Sequence, residues 1–344
     1  MRAIRLERRP APSHSEILTN VEMPVPTPRD DELLVRVAVC GVCRTDLDLV
    51  DGRLIAPTYP IVPGHQIVGH VAAIGRDVKD WREGDVAGVA WIHSACGVCA
   101  WCTHGLENLC PKFEATGCHV DGGFAEFAIV PAKFAHAIPS AIAPLDCAPL
   151  LCAGAVGWRA LHATGLRDGD PLGLTGFGAS AHLVLQLARQ RFPRSPVFVF
   201  ARNADDREFA ASLGAQWVGE IGAEPPEPLA AIIDTTPAWS PVVAALAALR
   251  PGGRLVINAI TKDTRDQSAL LRLDYSTHLW KERTIQSVAN VTRLDVREFL
   301  GAVGAWWPAI RATVSAMPLA AANDALVQLR NGAARGALAL EIAS

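Results

Sequence analysis

DPLGLTGFGASAHLVLQLARQ, residues 170–190, decides the fold class. A short apolar run leads into a glycine turn. The turn opens a segment in which Leu183, Val184 and Leu187 fall on one side of a helix. The same alternation then repeats. SPVFVFA (195–201) reads as a second strand, and NADDREFAASLGA (203–215) as a helix capped at Asn203. AAIIDTTP (230–237) is a third strand, PVVAALAALRPGG (241–253) a helix ending at its glycines, and RLVINAI (254–260) a fourth strand. Strands separated by helices imply a doubly wound parallel sheet, covered on both faces.

The turn itself, GFGASA, has the spacing G-x-G-x-x-G/A. Gly176 allows the tight turn, Gly178 lets backbone approach a pyrophosphate, and small Ala181 lets helix and strand pack closely. Phe177 and Ala179 complete the loop, whose free N–H groups at the helix start suit an anion. Alone the motif is weak; its strand–turn–helix setting gives it meaning. At the tip of the second strand a carboxylate would select NAD(H) by binding the adenosine ribose. Here Arg202 stands there, which favours a 2′-phosphate and hence NADP(H). The alternative is that Asp205 or Asp206 reaches the ribose from the following helix.

On the N-terminal side, residues 1 to about 150 read as β-rich, with ELLVRVAVCGV (32–42), IVGHVAAIG (67–75) and DVAGVAWI (85–92) between Gly, Pro and Asp. Beyond about 290 come one clear helix, TRLDVREFLGAVGAW (292–306), and a strand-like ALALEIA (337–343).

A chain of 344 residues, half of them hydrophobic, can bury a large core without covalent staples. The net charge is −3 and basic residues are scattered, so no block suggests nucleic acid or an anionic membrane. MRAIRLERRP lacks the apolar stretch of a secretory signal, and the richest apolar run, 141–158, is broken by Pro144, Asp146 and Pro149. A cytoplasmic location is the expectation, and there clustered cysteines favour metal over disulfide.

Four of the nine cysteines fall in HSACGVCAWCTHGLENLCP (93–111). Cys96, Cys99, Cys102 and Cys110 have the spacing C-x2-C-x2-C-x7-C. Four thiolates with no open position make a closed, structural zinc site. An iron–sulfur cluster is the rival, given Pro111 after Cys110, but the final gap is longer than in such motifs. Three further segments carry metal-capable groups: Cys43 in GVCRTDLD, His65 in PGHQIVGH and Cys152 in LLCAGAVGW. Two thiolates and an imidazole would leave zinc a fourth position for a substrate oxygen. Spacing alone does not select these three, since a lone cysteine in an apolar run is more often a small buried hydrophobe. Cys40 and Cys147 read that way.

GVCRTD, the PGHQIVG turn, VKDWREGDVAGV, the four-cysteine lobe, TGCHVDGGFAEFAIVP and APLLCAG occur in this order. Together they resemble the zinc-dependent medium-chain alcohol dehydrogenases over nearly the whole chain. The resemblance implies a GroES-like catalytic domain (1–153 and 290–344, with the lobe at about 93–111) and an inserted Rossmann domain (154–289). It implies two zinc ions per chain, a catalytic one on Cys43, His65 and Cys152 and a structural one on the four-cysteine lobe. It further implies hydride transfer between a primary alcohol and NAD(P), zinc polarising the substrate oxygen and Thr45 starting a proton relay. Arg44 would lie near the cofactor pyrophosphate and Trp91 in the substrate pocket. Many relatives carry a histidine where Asp48 stands, so Asp48 is the expected outer relay group; Gln66 replaces a usual glutamate beside the zinc histidine. A homodimer or homotetramer is implied. The competing readings are a zinc-independent quinone or enoyl reductase on the same fold, and a non-catalytic zinc- and nucleotide-binding protein.

Overall fold

The computed structural model describes residues 1–10 and 17–342, so Ala343 of the expected last strand lies outside the described residues. The chain divides into two compact units, Met1–Ala155 with Asn290–Trp307 and Ala312–Ser344, and Val156–Ala289 with Pro308–Arg311.

The second unit holds a six-stranded sheet, parallel throughout. Its spatial order is Trp217–Gly219, Val197–Phe200, Leu172–Thr175, Leu229–Asp234, Leu249–Ile257, Thr284–Ser287. In chain order that is 3-2-1-4-5-6, with the reversal between Leu172–Thr175 and Leu229–Asp234, where a doubly wound sheet opens its ligand crevice. The three central strands are buried along their length, as a sheet covered on both faces requires. Two strands escape the sequence pattern for a plain reason. Trp217–Gly219 is three residues long and half-buried, and Thr284–Ser287 is exposed throughout, so neither shows an apolar run. The helix expected over 241–253 stops earlier, spanning Ser240–Ala248. Pro251 cannot donate a helical hydrogen bond and disfavours helical backbone at Arg250. Leu249 therefore pairs with Leu229, and the register shifts before Arg254 meets Ala231.

The first unit is built on a seven-stranded, mainly antiparallel sheet. Glu32–Val42 pairs with Gln66–Ile74, with Phe127–Pro131 and with Ala337–Glu341, so the last described strand closes onto one of the first. Helix Arg293–Trp306 starts in a capping box between Thr292 and Asp295. Val296, Phe299, Leu300 and Val303 give it one buried face. Cys40 and Cys147 are fully buried, while His70 is exposed on its strand. Among the described residues no helix is long and apolar enough to cross a membrane.

Two buried imidazoles make this fold acid-sensitive. Burial lowers His136, aided by Arg297 and Arg293, and burial lowers His182 in the second unit, each to about 4. The unfolded chain binds these protons near the ordinary value of 6.5. Stability from both is therefore complete above about 6.5 and is lost as pH falls toward about 4, on the order of 3 kcal/mol for each. Urea melts across that range should show the loss, and His136→Gln should remove about half of it, leaving the His182 share.

Candidate functional site

Three side chains from distant segments of the first unit converge. Strand Glu32–Val42 ends at Val42, and Cys43 caps helix Arg44–Val50 in extended geometry. Its Sγ accepts from Thr45 N at 3.4 Å, and Asp46 Oδ2 accepts from Cys43 N at 2.9 Å. His65 follows Gly64, whose φ of +94° suits glycine; a Cβ there would meet Phe124 at 2.5 Å and Cys40 Sγ at 2.8 Å. Cys152 ends the short 3-10 turn Ala148–Leu151, just before helix Ala153–Ala163. The ligand atoms of Cys43, His65 and Cys152 all lie within 4.8 Å of one another, and Cys43 Sγ is 3.4 Å from His65 Nε2. Tetrahedral zinc with ~2.3 Å bonds to sulfur and ~2.0 Å to nitrogen needs ligand atoms about 3.5–3.8 Å apart. The donor set fits a zinc ion with one position open.

Charge around the site points the same way. His65 is 1% exposed. Burial alone would lower it, but Cys43 and Asp46 outweigh burial and raise it to about 10. Cys43 is pushed well up by its hydrogen bond with Cys152 and by burial. A dication bound there would have to displace those protons, so metal binding should weaken as pH falls. Asp46, 2% exposed, places Oδ1 3.5 Å from His65 Nδ1, on the side away from Cys43. A carboxylate behind a ligand imidazole fixes the ring orientation and its basicity. The sequence reading missed Asp46. Its signal was C-x-x-D at a helix start, the spacing of a capping box, and the box is formed.

The remaining expected residues are near, in differing roles. Thr45 is 8% exposed in the first helical turn. Trp91 sets its ring edge-on to His65, centroids 4.9 Å apart, and is itself buried. Gln66 is buried with no hydrogen-bond partner for Nε2. Asp48 is fully buried, and its Oδ1 accepts from Arg44 Nε at 3.2 Å and from Arg53 at 2.6 Å. Cys118 packs in the core with no exposed surface.

The four-cysteine lobe is also assembled. Cys99 Sγ lies 3.6 Å from Cys102 Sγ and 3.8 Å from Cys110 Sγ, and Cys96 to Cys102 is 3.9 Å. A tetrahedron of ~2.3 Å zinc–sulfur bonds requires about 3.8 Å. Backbone N–H groups of Val98 and Cys99 hold the Cys96 thiol down at about 6. All nine cysteines are free.

In the second unit, Gly176 takes φ +80° and Gly178 caps helix Ala179–Arg191. Ala181 has no exposed surface, and Phe177 turns its ring onto Phe209, leaving only its backbone to a ligand. A Cβ on Gly176 would strike Thr236 at 2.9 Å, whereas one on Gly178 would meet nothing within 4 Å. That open space is where a pyrophosphate would approach backbone. Gly178→Ala should therefore leave the melting temperature unchanged and weaken NAD(P)H binding roughly tenfold or more, read by cofactor fluorescence. Arg202 is exposed at the end of its strand; Asp205 is exposed and Asp206 half-buried in the next helix.

Residues 29–140 match the family model for the alcohol dehydrogenase GroES-like domain. The chain is 42% identical over 341 residues to a probable alcohol dehydrogenase, AdhA, of Mycobacterium tuberculosis (strain CDC 1551 / Oshkosh), covering 97% of this chain and 96% of the relative. An alcohol dehydrogenase of Moraxella sp. (strain TAE123) is 34% identical, over 93% and 94% of the two chains. Among solved structures, a cobalt- and zinc-bound thermostable alcohol dehydrogenase from Pyrobaculum aerophilum superposes with a TM-score of 0.86 at 26% identity, over 100% of this chain and 99% of that one.

Proposed function

The chain belongs to the zinc-dependent medium-chain alcohol dehydrogenase family, and on that premise we propose that it transfers hydride between a primary alcohol, aliphatic or aromatic, and NADP(H), with the aldehyde as the oxidised partner. The observation that carries this reading is the convergence of Cys43, His65 and Cys152 within 4.8 Å. A zinc-independent reductase has no use for that set, and a binding protein has no use for an open coordination position.

Zinc bound there would supply Lewis acidity to the substrate oxygen, and the nicotinamide would carry the hydride. The protein's own groups do the rest. Two thiolates and a neutral imidazole balance a dication, so the site adds no net charge beside the reacting oxygen. Asp46 fixes His65 by facing Nδ1, which commits Nε2 to the metal. Thr45 Oγ1 would accept the hydroxyl proton of the alcohol while releasing its own toward solvent, so that it relays the proton and is left neutral. Neutral Gln66 adds no charge behind the metal. We assign Asp48 to anchoring rather than to proton transfer, because its Oδ1 is engaged by two guanidinium groups. Asp48→Asn should accordingly lower the melting temperature and leave the pH–rate profile in place; a displaced profile would restore the relay role.

The four-cysteine lobe takes a structural zinc, giving two zinc ions per chain. Exposed Arg202 at the strand tip supports NADP(H) over NAD(H). A zinc-binding dehydrogenase candidate from Sinorhizobium meliloti 1021, with a TM-score of 0.85 at 26% identity over 99% of this chain and 98% of that one, was solved bound to NADP. A cytoplasmic homodimer or homotetramer is the assembly proposed. The test is metal analysis with a spectrophotometric panel of alcohols and aldehydes against both cofactors. Two zinc ions and turnover are expected; a single zinc ion without turnover on any alcohol would favour the reductase reading.

A further inference from the structure

Asp234 ends the fourth strand of the parallel sheet and has no exposed surface. Oδ1 accepts from Thr175 Oγ1 at 2.6 Å and from Thr236 Oγ1 at 2.8 Å. Oδ2 is paired with Lys262 Nζ. The same ammonium donates to the carbonyls of Thr236 at 2.8 Å and Ala238 at 3.0 Å, which uses all three of its donors. The Lys262 side chain is 10% exposed. Asp234 is thus a buried carboxylate with one buried cation, both tied to one short turn.

That turn is the wall of the glycine loop. Thr175 directly precedes Gly176, and Thr235 Oγ1 donates to Thr175 O at 3.0 Å. Thr236 Cγ2 and Thr235 Oγ1 fill the space a Cβ on Gly176 would need, at 2.9 and 3.0 Å. At the far end of the loop Asn258 Nδ2 donates to Ser180 Oγ at 3.0 Å. The end of strand four, with Asn258 and Lys262 from the segment after strand five, therefore sets where Gly176–Ala181 sits.

Buried ion pairs are poor net stabilisers, since desolvating two charges offsets most of their attraction, yet losing one partner is severe. A pair kept in this place serves geometry better than stability. We propose that Lys262, by neutralising Asp234 beneath the 235–238 turn, is a positioning residue for the dinucleotide loop. The inference rests on reading Gly176–Ala181 as the cofactor loop.

The test compares Lys262→Met with the double variant Asp234→Asn/Lys262→Met. NADPH and NADH fluorescence titrations are run below the melting temperature of each protein, with zinc content measured alongside. The single variant leaves Asp234 charged and alone, and both cofactors should bind at least roughly tenfold more weakly. Zinc content should stay at the wild-type value, because both metal clusters are built from other residues. In the double variant Asn keeps an acceptor for Thr175 and Thr236 without the charge, and affinity should return most of the way to wild type. A folded Lys262→Met protein with wild-type affinity overturns the proposal. So does a double variant that binds as weakly as the single one, and this comparison decides the matter if the single variant does not fold. Wild-type protein that binds neither cofactor removes the underlying cofactor reading and the proposal with it.

Discussion

His65→Ala is expected to lower kcat/KM by roughly 10³–10⁴-fold while the protein still folds and binds cofactor. Lewis-acid activation contributes several kcal/mol to such a reaction, and each ~1.4 kcal/mol is a factor of ten in rate. The imidazole is one of three groups able to grip the ion and sits between Cys43 Sγ at 3.4 Å and the Asp46 carboxylate at 3.5 Å. Removing it leaves Cys43 and Cys152 alone to hold the ion, and the Cys43 thiol is pushed well up by its hydrogen bond with Cys152 and by burial. Folding should survive, because Asp46 retains its bonds to the backbone N–H groups of Cys43 and Gly64. Zinc analysis should find the content halved, with the four-cysteine site still filled. A variant that keeps both zinc ions and near wild-type turnover would refute the assignment of the open site.

Cys99→Ser should act in the opposite sense, costing stability far more than chemistry. Cys99 Sγ touches two other sulfurs of its cluster, at 3.6 and 3.8 Å. Metal binding in such lobes is folding free energy, so loss of one ligand should lower the melting temperature by roughly 10 °C, as a deficit of about 3–5 kcal/mol would. The damage should spread along one contact. Glu107 lies inside the lobe, 4% exposed, and accepts from Arg293 N at 3.0 Å and Arg293 Nε at 3.1 Å. Burial opposes the Glu107 carboxylate, and those donors outweigh it, holding it below the usual range. An unfolded lobe releases Arg293 at the start of helix Arg293–Trp306. Limited proteolysis should therefore cut first within residues 93–111, while kcat/KM of the folded fraction falls less than about tenfold. Unchanged melting with full zinc content would mean that the four thiols hold no ion.

Some of this is written locally in the chain. The parallel sheet is legible because its central strands are continuous apolar runs and its helices carry apolar faces. The four-cysteine site is legible because its ligands lie within fifteen positions and the spacing by itself closes a tetrahedron. The glycine loop is legible because only Gly tolerates φ +80° against Thr236. Strands Trp217–Gly219 and Thr284–Ser287 were not, because edge strands need no apolar pattern.

The proposed open metal site belongs to the other kind. Cys43, His65 and Cys152 are separated by long stretches, and nothing in their spacing distinguishes them from Cys40 or Cys147, which are merely buried. Family resemblance named them; geometry brings them together, through a sheet that ends one strand at Val42, just before Cys43, and begins the next at Gln66, just after His65. The roles proposed for Asp46, Asp48 and Lys262 likewise rest on contacts that only the folded chain makes. A carboxylate reads the same in any sequence. What it does depends on which charges its fold sets against it, and those come from residues far along the chain or from turns whose shape only packing fixes.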